Sequence, residues 1–118
     1  MEIDVRKQGK VHVIRMRGQL RLGDPVEELR KALDSVLAEG HTSVVASMGE
    51  VPMADSSGIG ALVRYHSTLK QKGGALKLVQ PSKLVTQTLK ILGLLNLFEV
   101  FDDENAAIQS FPDAAAAG

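Results

Sequence analysis

The densest group of residues that could do chemistry is Asp55-Ser56-Ser57-Gly58-Ile59-Gly60, an acid and two adjacent hydroxyls beside two glycines. A serine hydroxyl attacks as a nucleophile when a base stands beside it, but no Gly-x-Ser-x-Gly elbow surrounds these serines. The histidines are poorly placed for that role: His12 lies in a strand-like run, His41 in a turn and His66 well along the helical run that follows. No pair of residues has a metal-ligand spacing, so no metal site is expected. Gly58-Ile59-Gly60-Ala61-Leu62-Val63 supplies the first two glycines of a dinucleotide fingerprint, but Val63 stands at the third, and there is no Walker lysine motif. The cluster does read as a loop-to-helix junction, in which Asp55, Ser56 or Ser57 could each cap the first helical turn.

The junction needs a helix behind it and a strand before it. Ile59, Leu62, Val63, His66 and Leu69 fall on one helical face, and this helix is expected to stop near Lys72-Gly73-Gly74. Ser43-Val44-Val45-Ala46-Ser47-Met48 is apolar on both faces, which suits a central covered strand. Upstream, Ile3-Asp4-Val5 and Val11 to Arg17 read as two strands reversed through Gln8-Gly9-Lys10. Asp24-Pro25 reads as an N-cap with proline at the first helical position, and Gly40 as that helix's end. Val26, Leu29, Leu33, Val36 and Leu37 form its apolar face.

Downstream, Ala75-Leu76-Lys77-Leu78-Val79 is a strand and Ser82 opens a helix with Val85, Thr88, Leu89 and Leu92 on its apolar face. Leu94 to Phe101 reads as a loop and last strand, and Asp102 to Phe111 as a helix with an acidic first turn. The apolar loop Leu94-Leu95-Asn96-Leu97-Phe98 suits either core or contact, which leaves a homo-oligomer open. Two strands followed by helix and strand in alternation require right-handed crossovers and parallel pairing. The expected architecture is α/β, one domain over residues 1–113 with a frayed tail at 114–118, its mixed, mainly parallel sheet having about five strands with about four helices. In such sheets the loops at the carboxyl ends of strands carry function, and the junction is one of these.

Composition narrows the partners. With 118 residues, 14 basic against 14 acidic and 3% aromatic, the chain offers neither a field for a polyanion nor stacking platforms, so nucleic acid is not an expected partner. There are no cysteines, hence no disulfide or thiolate zinc chemistry. No run reaches the roughly 20 apolar residues of a membrane span, and the start does not resemble a signal peptide, so a cytoplasmic location without membrane insertion is expected.

Met53-Ala54-Asp55-Ser56-Ser57-Gly58-Ile59-Gly60-Ala61-Leu62 resembles the signature of the STAS domain family, the bacterial anti-sigma factor antagonists. Gly18-Gln19-Leu20 is similar to the family's Gly-Glu-Leu, and Gly73-Gly74, Leu92-Gly93-Leu94 and Phe98-Glu99-Val100-Phe101-Asp102-Asp103 sit where comparable elements occur. Gln19 replaces the usual Glu, Arg21 stands at a usually acidic or polar position, and Ser47 replaces a common Asp or Asn.

The resemblance implies a STAS-like fold and a protein-protein switch rather than an enzyme. Its unphosphorylated form would bind an anti-sigma factor that is also a serine kinase, and a serine phosphatase would restore that form. Carried over by position, Ser56 is the implied phosphoacceptor, with Asp55, Ser57, Gly58, Ile59, Gly60, Gln19 and Arg21 implied on the partner-binding surface. No cofactor is implied, and ATP enters as the kinase's co-substrate. The alternatives are a scaffold subunit of a stress-sensing assembly or a lipid-transport ABC system, a nucleotide-binding module, or Ser56 as a helix cap alone.

Overall fold

The computed structural model describes residues 1–112, so the tail expected at 114–118 lies outside the described residues. Five strands form one sheet in sequence order: β1 (Glu2–Gln8), β2 (Val11–Arg17), β3 (Ser43–Glu50), β4 (Ala75–Val79) and β5 (Val100–Phe101). β1 and β2 are antiparallel, and every later pairing is parallel. Gly9, at φ 64, makes the two-residue reversal between Gln8 and Val11, where glycine avoids the Cβ clash of a positive φ. The crossovers are α1 (Asp24–Ala38), α2 (Ser56–Gln71) and α3 (Lys83–Ile91), and α4 (Glu104–Gln109) follows β5.

Strand alternation divides the core between two faces. Ile14 and Met16, Val44, Ala46 and Met48, and Leu76 and Leu78 pack with Leu29 and Leu33 of α1, Ile59, Leu62 and Leu69 of α2, and Val85 and Leu89 of α3. The opposite residues, Val11, Val13, Val45 and Val79, meet Ala107 and Ile108 of α4 and Phe111. β3 is thus covered on both sides, as its unbroken apolar run requires. β1 is an edge strand whose charged residues discourage pairing with another chain. Arg6 and Arg15 both reach Glu104, tying the first hairpin to α4.

Two local expectations change, and one open reading is narrowed. Asp24 is not the N-cap of α1: Gly23 is, with no side-chain cap, and Asp24 lies in the first turn, where its charge still suits the helix dipole. Leu92 is half exposed because α3 has ended at Ile91 and the chain is already turning away. The apolar 94–98 loop, which suited either core or contact, is divided: Phe98 is buried and Leu94 and Leu95 pack against the first face, while Asn96 and Leu97 are exposed.

Candidate functional site

The loop after β3 does not cross open solvent. Gly18 donates to the Glu50 carbonyl at 3.0 Å, Leu20 to the Met53 carbonyl at 3.0 Å, and Asp55 to the Leu20 carbonyl at 3.0 Å. Residues 18–22, leaving β2, therefore run alongside residues 50–55, with Leu20 and Ala54 forming a parallel bridge. Leu20, Val51 and Ala54 are buried and fix this two-stranded lip to the core. Ser82, capping α3, donates its hydroxyl to the Pro52 carbonyl at 3.0 Å and brings the start of α3 to the same end of the sheet.

Asp55 joins these parts. It is the N-cap of α2, with Oδ1 accepting from the Gly58 amide at 2.9 Å, while Oδ2 accepts from the Leu22 amide at 2.9 Å. Donation from Leu22, then from Gly58, holds the Asp55 carboxyl below its ordinary pKa; burial opposes this, and the Ser57 amide and Arg21 charge assist it. Of the three candidate caps, the acid is the one used. A group added at Ser56 would find the Gly58 amide already taken, so free amides of the first turn offer it less than an uncapped terminus would.

Ser56 is the first residue of α2 and its side chain is exposed. Gln19, Arg21 and Gly60 are also exposed, and Ser57 is half-buried. Gly58 and Ile59 lie beneath this surface: Ile59 is 1% exposed within the core, and a Cβ on Gly58 would stand 2.5 Å from the Leu20 carbonyl oxygen. These two support the surface from below. Ser47 is buried in β3, away from solvent. His66, expected at the core's edge, is buried, with Nδ1 accepting from the Leu76 amide at 3.2 Å.

Sequence reasoning did not find Leu22, which is 73% exposed with its amide held by Asp55. Leu84, on the first turn of α3, is also exposed. Nothing in the local pattern marks either as a surface residue, because their exposure follows from how the lip and α3 end against the sheet. Leu22 thus sets one exposed apolar side chain next to Asp55, which directly precedes the exposed Ser56 at the start of α2.

The family pattern described as STAS domain matches residues 2–107. The chain is 23% identical over 109 residues to the anti-sigma F factor antagonist of Paenibacillus polymyxa, covering 92% of each. Among solved structures, protein TM1081 of Thermotoga maritima superposes with a TM-score of 0.84 at 19% identity, covering 91% of this chain and 92% of that one. The Bacillus cell fate determinant SpoIIAA in its phosphorylated form superposes with a TM-score of 0.74 at 23% identity, covering 92% and 97%. At these identities the structural likenesses establish the fold. Among the described residues, no helix is long and apolar enough to cross a membrane.

Proposed function

The chain belongs to the STAS domain family, and from that premise we propose that it is an anti-sigma factor antagonist, a binding switch set by phosphorylation of Ser56. The observation that carries this reading is the exposure of Ser56 at the first position of α2, on a surface whose backbone is already fixed by Asp55. The unphosphorylated surface, with Gln19, Arg21, Leu22 and Gly60 around Ser56, docks an anti-sigma factor that is also a serine kinase. Relatives named as anti-sigma factor antagonists support this partner class.

In the kinase reaction the Ser56 hydroxyl oxygen takes the γ-phosphoryl group of ATP. ADP leaves, and the hydroxyl proton passes to a base of the kinase. A serine phosphatase reverses the state by hydrolysis, with water supplying the oxygen of the released phosphate. The protein supplies the hydroxyl and its presentation, and the partners supply the chemistry.

The modification adds about −1.5 to −2 charges. On the free protein these are exposed to water, so the fold is little affected. At a docked interface an uncompensated charge costs several kcal/mol, and each 1.4 kcal/mol is about tenfold in affinity. Asp55, ionised and adjacent, makes the site still less tolerant of added negative charge. Ser56→Asp is therefore expected to weaken partner binding by about 100-fold or more with the melting temperature nearly unchanged, whereas Ser56→Ala binds but cannot be switched. Pull-down with wild type, followed by titration of the captured kinase against both variants, tests this. Equal affinity for wild type and Ser56→Asp contradicts it.

A further inference from the structure

At the end of the sheet opposite the Ser56 junction, three potential metal ligands converge from separate elements. His12 is the second residue of β2, Glu39 is the C-cap of α1, and His41 lies in the connection to β3. Nε2 of His12 stands 3.6 Å from Oε2 of Glu39, and Nε2 of His41 stands 3.9 Å from the same oxygen. One ligand atom from each residue lies within 4.8 Å of the others. The two imidazoles lie side by side, with ring centroids 4.3 Å apart.

We propose that His12, Glu39 and His41 form a binding site for a divalent transition metal ion, zinc foremost, with a further position open to water. Two imidazoles and one carboxylate are a ligand set that zinc uses when it keeps an open position. Around a tetrahedral ion with bonds of about 2.1 Å, ligand atoms stand roughly 3.4 Å apart, so the 3.6 and 3.9 Å separations from Glu39 need little closure, while the two histidines, within 4.8 Å, close by up to about 1.4 Å. Glu39 is exposed and His41 partly exposed, so both side chains can reorient toward buried His12.

The buried ring of His12 presents Nε2 to the Glu39 carboxylate at 3.6 Å, so Nε2 is the nitrogen available to an ion at this site. A cleft of about 370 Å³ lined by His12 and Glu39 gives access, although Lys7 on its rim opposes a cation. His12 Nδ1 also lacks the outer acceptor that strengthens a metal-bound imidazole by about 10- to 100-fold. Micromolar affinity follows more naturally than nanomolar.

A bound ion would join the start of β2 to the connection between α1 and β3, independently of the Ser56 surface. The test is isothermal titration of the tag-free full-length chain with zinc chloride, with cobalt(II) absorption as a second readout of coordination. One ion per chain is expected, and Glu39→Gln and His41→Ala should each weaken binding by about tenfold or more, or abolish it. Glu39 is exposed and His41 half-buried, and circular dichroism checks that each variant folds. Absence of zinc binding to the wild type, or a loss smaller than about tenfold in either variant, would overturn the site.

Discussion

At the scale of single residues, Asp55 has the most to do. Its two carboxylate oxygens hold the first turn of α2 and the Leu22 amide, 33 positions earlier in the chain. An asparagine caps a helix about as well as an aspartate, but its single oxygen cannot reproduce both bonds. Asp55→Asn is thus expected to cost about 1–2 kcal/mol at neutral pH, read from urea denaturation midpoints. Because folding lowers the Asp55 pKa, its stabilisation is fully present above the unfolded value of about 4 and fades as pH falls through the lower folded value. The gap between wild type and Asp55→Asn should therefore shrink as pH falls below about 4, the unfolded value, and a gap independent of pH would argue against the bridging carboxylate. The sequence offered three possible caps. It could not choose among them, because the deciding contact at Leu22 depends on how residues 18–22 return along the sheet.

Among the elements, α2 was the most legible: Ile59, Leu62, His66 and Leu69 are buried as their spacing indicates. The two glycines in its first turns looked interchangeable in the sequence, yet their surroundings differ. Gly58 packs on the Leu20 carbonyl, whereas a Cβ at Gly60 would meet nothing within 4 Å. Gly58→Ala should destabilise by about 1–3 kcal/mol through overpacking, and Gly60→Ala should be neutral or stabilising by up to about 1 kcal/mol through helix propensity. Thermal or chemical denaturation of the pair separates the two roles, and equal effects would contradict this packing. Helix ends were less legible. Gly23 rather than Asp24 begins α1, since the backbone turn at φ 105 selects a glycine there whatever cap the next residue could have offered. The convergence of His12 with Glu39 and His41 was hidden for a related reason: strand pairing creates it, and no local spacing encodes it.

Taken as a whole molecule, the chain keeps the two proposed sites apart because parallel strands have distinct ends. The carboxyl ends of β2 and β3 lead to the 18–22 lip and to Ser56, while the histidine cluster lies where β2 begins. The strand count, the helix count and the parallel crossovers followed from the alternation of patterns along the sequence. The proposed docking surface did not, because it is assembled from residues whose exposure depends on the finished packing. Leu22 is the clearest case, and Leu22→Asp should reduce partner affinity by about tenfold or more while leaving the urea midpoint nearly unchanged. Retained affinity would remove Leu22 from the interface. The central claim concerns Ser56 itself, and peptide-resolved mass spectrometry after incubation with the captured anti-sigma factor kinase and ATP tests it most directly. Phosphate on Ser56 is the predicted result; phosphate on another residue, or none, would contradict it.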